Sequence, residues 1–355
     1  MIVIAYGGEI AKNAYDALAS SDIALYLDTG MAVSIKPNLV VACPASDGAT
    51  THPEVIEGII MFLKDFGVKN LKIIESSWVG ERTKRAFKYC GYEELKRKYG
   101  IPLIDLKDDG YSSYRYGEYE IAICDEAMSA DFLINVPVLK AHCQTRMTCC
   151  MKNLKGCVPD AEKRRFHTLG IHKPVAALNM LVKTGYCVID GICGDLSHEE
   201  GGAPVTADRI IVGRNPLLLD SYCAELLGYR PDEIGYIQYG KAYGVGEYYN
   251  SETPLVELNP QVKPVLDIKR NRVSEIYKRL INEDAACSAC YSSLIYALRR
   301  LDGRKRRVEG KIHIGQGYKG KSGDGIGIGN CAMGFDICVP GCPPKATDIV
   351  AALGR

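Results

Sequence analysis

The chain is short of net charge, of long apolar runs and of any basic leader, and it has no internal repeat. Its 355 residues carry 44 Lys and Arg against 43 Asp and Glu, a formal charge of +1. Global charge therefore selects neither nucleic acid nor an anionic membrane surface as partner. No apolar run approaches the ~18 residues that a bilayer span requires, so no membrane contact is expected. Met1-Ile2-Val3-Ile4-Ala5-Tyr6-Gly7 has neither the basic start nor the apolar length of a secretory signal and reads as a first β-strand, which implies a cytoplasmic protein.

Cysteine, by contrast, is abundant. Fifteen cysteines, an odd number scattered unevenly, do not suit a secreted disulfide framework. They suit a reducing cytoplasm, as in an anaerobe, where thiols and metal clusters survive. The 47% apolar and 25% charged composition is that of a globular protein. The length allows two domains, or one large α/β domain with an appended module.

Up to about residue 255, short apolar runs alternate with helical patterns, which predicts a parallel α/β fold. Strands are expected at residues 32–39, 71–74, 102–106, 121–124, 131–138, 188–191 and 210–213. Thr51-His52-Pro53-Glu54 has the form of a capping box, and Val55, Ile56, Ile59, Ile60, Leu63 and Phe66 make a helical stripe that Gly67 ends. Asn38, Glu75, Ser76, Lys140, His142 and Asp190 follow predicted strands, which places them by rule near the carboxyl rim of a sheet, where α/β folds bind ligands. Residues 256–265 read as a connector between a 1–255 domain and a 263–355 module.

The module ends in Cys338-Val339-Pro340-Gly341-Cys342-Pro343-Pro344, and residues 345–353 read as a helix starting from that turn. Cys287 and Cys290 form a CxxC pair, and Cys331 follows the alternating Gly323, Gly325, Gly327 and Gly329, read as a glycine-rich loop. Cys287, Cys290, Cys331 and Cys342 supply the four thiolates of a [4Fe–4S] cluster. The glycines let backbone pass close to a bulky anionic group. A Cys₄ zinc site uses the same ligands. Cys338 is the reserve ligand. Gly315-Gln316-Gly317-Tyr318-Lys319-Gly320 matches GxGxxG but is followed by more glycines instead of a helix, so it is not read as a dinucleotide site.

The second dense region runs from Asp131 to His172. An apolar strand delivers Lys140 and His142, followed by Met151-Lys152-Asn153-Leu154-Lys155-Gly156, Arg164, Arg165, His167 and His172. Such a group suits an anionic substrate, with His or Lys moving a proton. Cys143, Cys149, Cys150 and Cys157 crowd the same stretch with spacing poor for a second metal centre. Cys43, Cys90, Cys124, Cys187, Cys193 and Cys223 read as core.

The blocks Ile35-Lys36-Pro37-Asn38, Thr51-His52-Pro53-Glu54, Leu139-Lys140-Ala141-His142, Lys152-Asn153-Leu154-Lys155-Gly156, His167, Asp190-Gly191 and Asp220 resemble, in order, the DUF362 family of uncharacterised function. The C-terminal Ile328-Gly329-Asn330-Cys331 and Gly341-Cys342-Pro343-Pro344 resemble the single-cluster form of that family. The Gly-Cys-Pro-Pro turn is also similar to the cluster turn in small subunits of respiratory complex I and nickel–iron hydrogenases. The ferredoxin cysteine run is missing, so one cluster is implied. The family resemblance implies a two-lobed α/β fold remotely like the lactate racemase superfamily.

The resulting expectation is an iron–sulfur oxidoreductase passing electrons to a small anionic substrate or organic cofactor in a basic cleft. His142, Lys152 and His167 would be catalytic, and Lys36, Asn38, Asn153 and Lys155 would bind substrate. The alternatives are an electron carrier or redox sensor, docking a partner through the basic 263–307 region, and a racemase- or hydratase-like enzyme whose cluster is structural. Nucleic-acid binding through Arg304-Lys305-Arg306-Arg307 is not expected, because no aromatic platform accompanies that run.

Overall fold

The structure is a computed structural model. It describes the chain except residues 143, 196–203, 266–276, 278, 304–307, 309 and 355 and the side chain at 288. Arg304-Lys305-Arg306-Arg307 and Cys143 therefore lie outside the described residues. Two compact units emerge: Met1–Lys163 with His172–Lys269, and Arg164–Ile171 with Arg270–Arg355.

The first unit contains strands β1 (Ile2–Tyr6), β2 (Ala32–Lys36), β3 (Asn70–Glu75), β4 (Leu103–Asp105), β5 (Tyr111–Tyr116), β6 (Tyr119–Cys124), β7 (Phe132–Asn135), β8 (Lys140–His142), β9 (Arg146–Thr148), β10 (Tyr186–Asp195), β11 (Pro204–Gly213) and β12 (Leu255–Leu258). Eight of them form one sheet in the order β12-β1-β11-β10-β7-β2-β3-β4. The sheet is mixed but mostly parallel, with β11 antiparallel to both its neighbours. Strands such as Ile2-Val3-Ile4-Ala5-Tyr6 are buried at every position, as strands covered on both faces must be.

Helices α1 (Ile10–Ala19), α2 (Pro53–Phe66), α3 (Thr83–Tyr89), α4 (Tyr92–Tyr99), α5 (Asp125–Met128), α6 (Cys150–Asn153), α7 (Asp160–Thr168), α8 (His172–Leu181), α9 (Pro216–Leu226) and α10 (Gly235–Tyr243) follow the same chain. Of the apolar stripe of α2, Val55, Ile56, Ile59, Ile60 and Leu63 are each 0% exposed and Phe66 is half-buried at its end, at about 1.5–3 kcal/mol per side chain removed from water. Gly67 ends α2 at φ +101°, a left-handed conformation that costs a residue without Cβ little.

Two local expectations are corrected here. Thr51 does not cap α2, because His52 is the N-cap residue and makes no side-chain cap bond. The Thr51 hydroxyl instead accepts the Asn38 amide at 2.8 Å and donates to the Val136 carbonyl at 2.9 Å. Long-range bonding between strand ends outcompetes the local cap. The stretch read as a connector begins with a strand, since β12 pairs in parallel with β1 at the sheet edge.

The second unit carries β13 (Ile281–Glu283), α11 (Ser288–Gly303), β14 (Ile312–Ile314), β15 (Ser322–Ile328), β16 (Gly334–Val339) and α12 (Ala346–Leu353). Its four strands form a parallel sheet in sequence order, and α11 packs on α12. Gly323, Gly325 and Gly327 thus lie in a β-strand and not a loop, and Gly329 follows it at the start of the next turn. Sterics explain them: a Cβ at Gly327 would stand 1.8 Å from the Ala332 carbonyl oxygen, and one at Gly325 would stand 2.7 Å from that of Lys311. Glycine here serves close backbone packing. After β14, residues Gln316–Tyr318 make only a 3₁₀ turn, so the GxGxxG match opens no helix, as expected.

Candidate functional site

In the first unit the carboxyl ends of four adjacent strands gather polar side chains in a dry interior. Lys36 ends β2 opposite Asn135 of β7, Glu75 ends β3, and Asp190 lies on β10 beside a bridge to Val138. The apolar strand bodies hold these groups at one rim, as the general rule for parallel α/β sheets requires.

Lys36 is fully buried. Its ammonium bonds both carboxylate oxygens of Glu75 at 3.1 Å and the Pro37 carbonyl at 3.0 Å. Glu75 also accepts the amides of Leu39 at 3.0 Å and Ser76 at 2.7 Å. A Cβ at Gly156 would stand 2.3 Å from Glu75 Oε1 and 2.5 Å from Lys36 Nζ, so only glycine lets the 154–157 turn cross this ion pair.

Beside it runs a directed chain of buried hydrogen bonds. Lys140 Nζ donates to Asn38 Oδ1 at 3.2 Å and to the Ala49 carbonyl at 2.7 Å. Asn38 Nδ2 donates to Asn153 Oδ1 at 2.9 Å, Asn153 Nδ2 to Asn135 Oδ1 at 2.8 Å, and Asn135 Nδ2 to the Cys150 carbonyl at 2.8 Å. Each amide takes the one orientation that gives every dipole in the chain a partner. Lys36, Asn38 and Asn153, expected to bind substrate, are joined to neighbours within this network.

The other expected residues are placed as follows. His142 is buried on β8, and its Nδ1 accepts the amides of Gln144 and Thr145, each at 3.1 Å. An Nδ1 held as acceptor puts the neutral ring's proton on Nε2. Lys152, buried on α6, donates to Thr148 Oγ1 at 2.9 Å. Lys155 is half-buried on the 154–157 turn. Burial, and then the charge of Lys152, hold the His172 imidazole below its ordinary pKa, so His172 favours the neutral form. His167 is buried on α7 within the stretch that groups with the second unit.

Two clusters escaped sequence reasoning. His52 Nδ1 lies 2.8 Å from Asp190 Oδ2, and Cys193 Sγ lies 3.8 Å from His52 Nε2. The two partners are 138 and 141 residues from His52, so no spacing could have paired them. Cys149, Cys150 and Asp220 are buried with ligand atoms within 4.8 Å of one another, a compact group able to hold a metal. Asp220 already accepts the amides of Cys150 at 2.7 Å and Met151 at 3.1 Å, which fixes the start of α6.

In the second unit, a backbone bond and a side-chain bond bring the cysteine segments together. Asn330 N donates to the Gly341 carbonyl at 3.0 Å, and Gly341 N returns a bond to Asn330 Oδ1 at 2.7 Å. This ties the Cys331 turn to the Cys342 turn. A Cβ at Gly329 would lie 3.7 Å from Cys290 Sγ and 3.4 Å from the Gly341 oxygen, so the CxxC pair meets the same junction. Gln316 Nε2 stands 3.7 Å from Cys287 Sγ. Burial, then Cys287, Cys342 and Cys331, push the Cys290 thiol up to about 12. Cys338 bonds the carbonyls of Met333 at 2.9 Å and Phe335 at 2.8 Å.

Among the described residues, no helix is long and apolar enough to cross a membrane. A family model described as "Domain of unknown function (DUF362)" matches residues 33–225. The Thylakoid-associated protein sll1697 of Synechocystis sp. is 29% identical over 194 residues, 53% of this chain and 59% of that protein. The match thus spans less than two thirds of that relative's length. The lactate racemase apoprotein from Thermoanaerobacterium thermosaccharolyticum superposes with a TM-score of 0.43 at 12% identity, over 93% of this chain and 70% of that one.

Proposed function

The chain belongs to the DUF362 family, and on that premise we propose that it is an iron–sulfur oxidoreductase acting on a small anionic substrate. The carrying observation is the junction of Cys287, Cys290, Cys331 and Cys342. Cys290 is a half-buried thiol whose proton is held by burial and by three neighbouring cysteines. A thiol raised in this way keeps its proton until a cationic centre replaces it. The donor set therefore fits a [4Fe–4S] cluster, with all four cysteines as ligands. When bound, that group supplies single electrons.

The protein's own residues supply position and protons. Gly329 and Gly341 keep Cβ atoms away from the cysteine junction, and the paired Asn330 and Gly341 hold the two turns in register. In the first unit, Lys152 and Lys155 supply cationic groups for a carboxylate or phosphate. His142 offers a proton at Nε2, because its Nδ1 is occupied by two amides. Lys36, Asn38 and Asn153 hold the frame in place.

The test is anaerobic purification followed by iron and sulfide analysis. Electron paramagnetic resonance of the dithionite-reduced protein follows, with titration by small carboxylates and phosphate esters. The reading expects about four iron and four sulfide per chain, and reoxidation by one of these anions. One tightly bound zinc without sulfide would end it. Reoxidation by redox proteins alone would replace the enzyme with an electron carrier.

A further inference from the structure

Cys193, His52 and Asp190 lie outside the machinery assigned above, and their arrangement is that of an activated nucleophile. Asp190 is 0% exposed and anchors His52 twice through Oδ2, from the backbone amide at 2.7 Å and from ring Nδ1 at 2.8 Å. Its other oxygen accepts the Ile192 amide at 3.1 Å. The carboxylate thus fixes both the rotation and the tautomer of the imidazole, leaving Nε2 to face Cys193 Sγ at 3.8 Å. That distance suits a sulfur hydrogen bond. The thiol also contacts the Ala45 carbonyl at 3.4 Å. Nucleophile, base and orienting acid stand in the order that covalent catalysis uses.

The local backbone explains how Cys193 is aimed. The β10–β11 register shifts between Gly191 and Cys193, and a bulge of this kind re-aims a side chain. Next to it, a Cβ at Gly194 would stand 2.0 Å from the Leu139 oxygen, so β10 is pressed against the Leu139–Lys140 segment at this point. The segments around the thiol also carry Lys140, Asp195 and Asp47 on the 45–47 turn. Cys193 keeps 7% exposure and His52 keeps 9%, so the pair is shielded but not sealed.

We propose that these three residues form a nucleophilic thiol site that accepts an activated acyl group, a thioester or ester, as an S-acyl adduct on Cys193. The Cys193 proton passes to His52 Nε2, and the thiolate attacks the acyl carbon. The new S–C bond forms as the bond from that carbon to the leaving heteroatom breaks, and the leaving group takes the proton from Nε2. Water or a second nucleophile then attacks the adduct and returns the thiol. Burial draws the His52 imidazole down, but its bonds to Asp190 and Cys193 outweigh this and lift it to about 10. A ring that holds its proton this firmly stabilises a facing thiolate.

The experiment uses the full chain, handled anaerobically, with iodoacetamide and 4-nitrophenyl acetate as probes and peptide mass spectrometry as readout. Cys193 is expected to alkylate about tenfold faster than the buried Cys187 of the same strand, as a thiol facing an oriented imidazole does. 4-Nitrophenyl acetate should give a stoichiometric burst of nitrophenolate and acetylated Cys193, both lost in Cys193→Ser. In His52→Gln the alkylation rate of Cys193 should fall about tenfold, to that of Cys187. The wild-type labelling rates decide alone if that variant fails to fold. A Cys193 that stays unlabelled, or that alkylates no faster than Cys187 in the wild type, overturns the proposal. Alkylation without acetylation overturns its acyl assignment.

Discussion

Replacing Lys36 by Met separates a structural cation from a substrate-binding one. The pair it breaks is buried, with side-chain exposures of 1% for Lys36 and 4% for Glu75. Met fills nearly the same volume, so the loss is electrostatic. Glu75 keeps the Leu39 and Ser76 amides but loses its cation inside the protein. Breaking one partner of such a pair costs about 3–5 kcal/mol. With a urea slope of roughly 2–3 kcal/mol/M, the midpoint should fall by about 1–2 M. Trp78, the single tryptophan, lies three residues beyond Glu75 and reports unfolding of this unit by fluorescence. Adding Glu75→Gln removes the stranded charge yet keeps an acceptor for one amide. The double variant should therefore regain about 1–3 kcal/mol over Lys36→Met, a coupling expected of contacting residues. A midpoint unchanged in Lys36→Met, together with lost affinity for small anions, would refute the internal ion pair and return Lys36 to the substrate.

Four further outcomes follow from the geometry. Gly156→Ala must push a methyl group into the Lys36–Glu75 pair, and urea unfolding should show a loss of about 1–3 kcal/mol, the cost of overpacking. His52 has a folded pKa near 10, above its ordinary 6.5. Its stabilisation is full below about pH 6.5 and is lost as pH rises through 10. The stability gap between wild type and His52→Gln should accordingly shrink from pH 7 to pH 10, and a constant gap would contradict the His52–Asp190 pairing. Alanine at Cys287, Cys290, Cys331 or Cys342 should remove most of the bound iron, whereas Cys338→Ala should keep it, because Cys338 is committed to two carbonyls. Gly327→Ala should disrupt the second unit, since its methyl would overlap the Ala332 carbonyl, and iron content and circular dichroism would fall together.

Periodicity and composition alone determined much of the architecture. The strands at 32–36, 70–75, 103–105 and 132–135, and the limits of α2, arise from apolar runs and from a glycine placed where the chain turns left-handed. These signals are local, so they survive in one dimension. The polar rim was legible in part, because residues following parallel strands must gather at one edge of the sheet. Only the tertiary structure decided which of them pair: Lys36 with Glu75, Asn38 with Asn153, His52 with Asp190. Each pairing joins distant segments in a dry interior, where a stranded charge or amide costs more than any local preference such as the Thr51 cap can return. The same competition made the glycine run a strand, since parallel neighbours on both sides supply backbone partners that a loop would leave to water.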